Sequence, residues 1–106
     1  MFARHVSILL KPNSSVAFTK QIENETIPTL RKQKGFQGEL TFLAPGGTGA
    51  VAISLWDKKE NADAYATTGY PEVMKNLNKF VEGTPKVQTY EVANSTFHKI
   101  AATVAA

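Results

Sequence analysis

Apolar positions crowd the stretch 3–11, ARHVSILLK, with Val6, Ile8 and Leu10 on one parity and Leu9 on the other. A run this short, closed by Pro12-Asn13-Ser14, predicts a buried strand. The spacing then lengthens: Phe18, Ile22, Ile27 and Leu30 recur near helical intervals from Ser15 to about Lys32, with Asn13 or Ser14 as cap. Pro28 falls inside that helix and must kink or split it, because its ring removes a backbone donor and crowds the preceding turn. Gly35 supplies the stop. In GFQGELTFLAPGGTGAVAISLW, Phe36, Leu40 and Phe42 lead into a glycine-rich turn and Val51, Ile53 and Leu55 lead out, which predicts a hairpin.

The next segment, SLWDKKENADAYATTGYPEVMKNL, predicts a helix in two pieces. Asp57 and Glu60 have capping-box spacing. Thr67-Thr68-Gly69-Tyr70-Pro71 interrupts, and Pro71 and Glu72 suit the first turn of a new helix. Val73, Leu77 and Phe80 keep helical spacing, with Met74 and Val81 alongside and Gly83 as the close. Residues 85–94, PKVQTYEVAN, carry the Val, Thr and Tyr of a last strand, and a small apolar tail follows Phe97, frayed or held by a partner. The order β-α-β-β-α-β is the ferredoxin-like split βαβ arrangement, an α+β domain spanning 1–106 with residues 95–106 as its tail. Both helices should lie on one face of an antiparallel sheet. Strands apolar on both parities imply that the other face is covered too, most simply by a second copy in a homodimer.

Composition narrows the function. Apolar residues make up 42% and charged residues 20%, as in an ordinary globular domain. The net charge of +3 comes from scattered lysines, which predicts no nucleic-acid surface, and the run Arg31-Lys32-Gln33-Lys34 suits a helix end. With no cysteine, two histidines and no His–Glu pair on one face, no metal site is expected. The apolar run after Met1 is too short for a signal-peptide core and nothing spans a membrane, so a cytoplasmic location is the default expectation. PGGTGA lacks the Lys-Ser/Thr ending of a phosphate loop and leads into a strand, so it is a turn.

The broken helix is where chemistry collects. Asn61 and Tyr65 are four apart and share a face, and Tyr70 sits at the elbow. They line a pocket beside the sheet or, in the plainer alternative, pack the core and the bend. His5 is the one candidate base with a reference pKa near neutrality, and Trp56 ends a strand as a core or dimer-interface anchor. The stretches ISLWDKKENADAYATTGYPEV, IPTLRKQKGFQG and VQTYEVANSTFH resemble the antibiotic-biosynthesis-monooxygenase family over nearly all of residues 2–98. That resemblance implies a dimeric α+β barrel. Cofactor-free polyketide oxygenases of the family use an Asn, a Trp four residues on and a later Tyr; those positions here hold Asn61, Tyr65 and Tyr70. The haem-degrading branch needs a first-strand Asn, the same Trp and a helix His, where this chain has His5, Tyr65 and Lys75-Asn76. The resemblance thus implies a monooxygenase without cofactor, acting on a small aromatic, quinol or polyketide-like substrate. Asn61, Tyr70 and His5 would be catalytic, and Tyr65, Phe18, Met74 and Trp56 would form the pocket. The alternative is a dimeric ligand-binding or interaction protein without catalysis.

Overall fold

The computed structural model describes residues 1–100 of the 106-residue chain. Its elements run β1 (Phe2–Leu10), α1 (Ser15–Gln21), a π-helical turn (Ile22–Thr26), α2 (Ile27–Arg31), β2 (Phe36–Leu43), β3 (Gly49–Trp56), α3 (Lys59–Thr67), α4 (Gly69–Leu77), a 3₁₀ turn (Asn78–Phe80) and β4 (Val81–Glu91). The strands form one antiparallel sheet in the order β2-β3-β1-β4, as the α+β ferredoxin-like reading requires. Among the described residues no helix is long and apolar enough to cross a membrane. Part of the predicted tail, residues 101–106, lies outside the described residues.

At Pro28 the helix is split as expected, through a widened turn, and at three other places local chemistry departs from the expected pattern. Ahead of Pro28 the helix widens into a π turn, with the Ile27 N–H bonding the Ile22 carbonyl five residues back, and Pro28 enters the first turn of α2. There its missing donor costs nothing, so α1 and α2 stay joined through the π turn. Asp57 does not cap α3: the N-cap is Lys58, and Asp57 Oδ1 accepts a hydrogen bond from Asn61 Nδ2 at 2.7 Å. Asn13 takes a positive φ of 60°, and Ser14, the N-cap of α1, makes no capping bond. Finally, Gly83 closes no helix. It lies inside β4 with φ 67°, at an irregularity where Glu82 pairs with Leu9 and Lys86 with Ser7. That places Pro85 where a missing N–H is tolerated.

One sheet face carries the helices. From β1 it presents Phe2, Arg4, Val6, Ile8 and Leu10, and from β3 Trp56, Ser54, Ala52 and Ala50. Phe18, Trp56 and Leu77 are fully enclosed there, with Ile22, Leu30, Tyr65 and Val73 around them. Opposite lie His5, Leu9, Val51, Ile53, Leu40, Phe42 and Tyr90. Leu9, Leu40, Phe42 and Tyr90 are each about half exposed.

Candidate active site

The helix break has a local cause. Thr68 departs from helical geometry at φ −115°, ψ −66°, and the Thr67 and Thr68 hydroxyls donate to the Ala64 carbonyl, satisfying the end of α3. Gly69 then starts α4 against the Tyr65 ring, where a Cβ would come within 2.6 Å of Cδ1. Only glycine lets α4 begin so close to that ring. The break therefore sets Tyr65, from α3, and Tyr70, from α4, edge to face with ring centroids 6.1 Å apart. Trp56 stacks behind Tyr65 at 4.9 Å, and Phe36 meets Trp56 at 5.7 Å.

Beneath the two tyrosines lies Arg4. Its guanidinium carbon is 4.4 Å from the Tyr70 ring centre and 5.2 Å from that of Tyr65, within cation–π range, and the residue is only 4% exposed. Lys59–Asp63 is the one ion pair among the described residues, so no carboxylate within 4 Å neutralises Arg4. Burial lowers its pKa, while Tyr65, Tyr70 and Asp63 pull the other way. An arginine ordinarily stays charged even so. A buried cation without an ion partner is a costly arrangement unless something else occupies the site.

Arg4 lines a cleft between sheet and helices in which about 40 Å³ admits the centre of a water molecule. That is far below the roughly 300–1,000 Å³ of ligand pockets, so an aromatic ring fits only where the helices draw back from the sheet. The sheet floor is Arg4, Val6, Ile8, Ala52, Ser54 and Glu39; Tyr65, Tyr70 and Met74 are in the opposite wall. Ile22 and Thr26, the two ends of the π turn, also face in. Widened turns of this kind are common at functional sites.

Glu39 arrives by a β-bulge. Phe36 pairs with Trp56 but Gly38 with Leu55, so β2 holds one residue more than β3 at Gln37. The shift turns Leu40 and Phe42 to the open face and Glu39 and Thr41 to the cavity side. Burial raises the Glu39 pKa, and Thr41 Oγ1, donating to Oε2 at 2.6 Å, opposes the rise. Tyr65 is pushed up to about 12 by burial, with Arg4 opposing, and Tyr70 is raised for the same reason. Both rings are therefore neutral hydroxyl donors at physiological pH.

The residues singled out in the sequence separate into three groups. Tyr65, Tyr70 and Met74 line the cavity. Phe18 and Trp56 are enclosed in the core beside it and do not line it. Asn61 and His5 stand elsewhere. Asn61 bonds Asp57 and presses on Gly35, where any Cβ would collide with both side chains. His5 is on the open face, 6.2 Å from the Tyr90 ring, and its buried Nδ1 has no hydrogen-bond partner. Arg4, Glu39 and Ser54 were not anticipated. Arg4 had a signal, since it shares the parity of Val6, Ile8 and Leu10 and so is a charge at a core position. Glu39 had none, because the bulge inverts the parity that Phe36 sets.

No group of three or more His, Asp and Glu side chains among the described residues is placed to hold a metal ion. No protein-family model and no curated protein sequence matches the chain, so its likeness to other proteins is one of structure. A solved antibiotic biosynthesis monooxygenase superposes with a TM-score of 0.70 at 14% identity, covering 89% of this chain and 100% of its own. A monooxygenase from the gene ActVA-Orf6 of Streptomyces coelicolor, in complex with nanaomycin D, gives 0.75 at 16%, with 92% of each chain covered. SnoaB, a cofactor-independent oxygenase from Streptomyces nogalater, gives 0.69 at 13%, covering 90% of this chain and 95% of its own. At such identities the match establishes the fold. The chain has the fold of the antibiotic biosynthesis monooxygenases.

Proposed function

We propose that the chain is a homodimeric, cofactor-independent monooxygenase of a small planar aromatic, a quinol or an anthrone-like compound. The observation that carries this reading is the buried Arg4 under Tyr65 and Tyr70, an unpaired cation facing an otherwise mostly apolar cavity. Such a site favours an electron-rich ring that gains negative charge as it reacts, because a buried positive group stabilises the anion. The solved oxygenases of this fold support the class of reaction. In an anthrone-like substrate, loss of a proton gives an enolate that reduces dioxygen. One oxygen atom becomes a ring carbonyl and the other leaves as water, with the substrate CH₂ supplying both hydrogens and all four electrons. The Tyr70 hydroxyl is the proton donor to the reduced oxygen.

The open face supports the dimer. Leu9, Leu40, Phe42 and Tyr90 form an apolar surface beside Val51 and Ile53, of the kind that marks an interaction site. One observation favours the non-catalytic alternative: Asn61, tied to Asp57, offers no amide to the cavity. Oxygen uptake by protein of measured metal content, with a panel of quinols and anthrones, separates the two. Uptake that scales with protein and not with iron, copper or flavin supports the oxygenase; binding without uptake supports the alternative.

A further inference from the structure

Arg4 pairs with Ser54 across β1 and β3, and Glu39 pairs with the same Ser54 across β2 and β3. The three therefore form one straight row across three strands, all lining the cavity. With neighbouring strands about 4.8 Å apart, Arg4 and Glu39 stand roughly 10 Å apart at the backbone with Ser54 midway. Opposite charges on one floor attract, yet this pair makes no ion pair. Arg4 is held under the tyrosine rings, and Glu39 is held by Thr41. Ser54 Oγ accepts the indole N–H of Trp56 at 2.9 Å, which leaves its own proton free to donate.

The row thus offers donors at one end and the middle, and an acceptor at the other. We infer that Arg4, Ser54 and Glu39 are the ionising set of the cavity: Glu39 takes the proton of a ring hydroxyl, and Arg4 with Ser54 holds the oxyanion. This rests on the reading of the cavity as a site for small aromatics, and it names the ionisable ring hydroxyl as the feature recognised. In the step the ligand O–H bond breaks, its proton passes to a Glu39 carboxylate oxygen, and the electron pair stays on the ligand oxygen beside Arg4. Tyr65 and Tyr70 are the other ionisable groups lining the cavity, and both stay protonated. Desolvation of the Glu39 carboxylate makes it the stronger base. His5, on the other face of the sheet, takes no part.

The test uses 4-nitrophenol, whose ionised form absorbs in the visible, and its uncharged methyl ether 4-nitroanisole. One pH unit below the free ionisation point, the wild type should bind nitrophenol with the spectrum of the phenolate and at least tenfold more tightly than the ether. In weak buffer that binding should release little or no proton. Arg4→Met should lose the phenolate spectrum and the preference while keeping its circular dichroism. Glu39→Gln should still ionise the ligand but release close to one proton per molecule bound. Nitrophenol bound as the neutral phenol, equal affinity for the ether, no binding of either, or full proton release by the wild type would overturn the inference. The wild-type comparison stands even if a variant fails to fold. Ionised binding without oxygen uptake from any substrate would end the oxygenase reading alone.

Discussion

The two faces of one sheet invert the usual arrangement. The helix-covered face buries an arginine and half-buries a glutamate beside Val6, Ile8 and Tyr65, whereas the open face exposes Leu9, Leu40, Phe42 and Tyr90. Ordinary burial would place apolar groups inside and charges outside. Both departures cost stability in an isolated chain, and on the proposed reading an oxyanion inside and a second copy outside would offset them. The cavity and the open face lie on opposite sides of the sheet, so the two effects should be separable.

The largest effect should come from breaking the outer face. Leu40→Asp combined with Phe42→Asp buries unpaired charge against a partner and should weaken dimerisation by roughly 10⁴-fold or more. Sedimentation equilibrium checks this; a wild type that is monomeric at micromolar concentration would remove the outer half of the comparison. On the inner face, Tyr70→Phe should lower kcat by about 10²-fold on a good substrate with the dimer intact, the low end for one positioned proton transfer.

The alkaline limb of stability sharpens the inner face further. Tyr65 ionises near 12 in the fold and near 10 when unfolded, so the unfolded chain sheds its proton first. The stability of the neutral ring, about 2–3 kcal/mol, is fully present below pH 10 and is lost as pH rises toward 12. Urea unfolding at a series of pH values measures the loss, and it should be smaller in Tyr65→Phe. The smallest effect runs the other way. Arg4→Met removes a desolvated charge and should stabilise the protein by about 1–2 kcal/mol even as it loses ligand. A thermal melt that falls instead would mean Arg4 holds the fold together.

Much of this was legible from periodicity. The element order, the antiparallel sheet and the helix break at Thr67–Pro71 follow from apolar spacing and breaker residues, and the structure has all three. Tyr65, Tyr70 and Met74 also reach the cavity, because helical spacing fixes which side of α3 and α4 meets the sheet. Registry was not legible. The extra residue at Gln37 swaps the two parities of β2, and no turn or proline announces it. Asn61 was misplaced because helical spacing says nothing of a competing partner, and Asp57 claims its amide. His5 has a reference pKa suited to a base, but its parity with Ser7 and Leu9 sets it apart from Val6 and Ile8.

Sedimentation velocity with 4-nitrophenol, followed at the protein and phenolate wavelengths together, reports mass and occupancy in one run. The account predicts chromophore travelling with a wild-type dimer, with a monomer for Leu40→Asp/Phe42→Asp, and left behind by a still dimeric Arg4→Met. Chromophore left behind by the wild type, or carried equally by Arg4→Met, would contradict it.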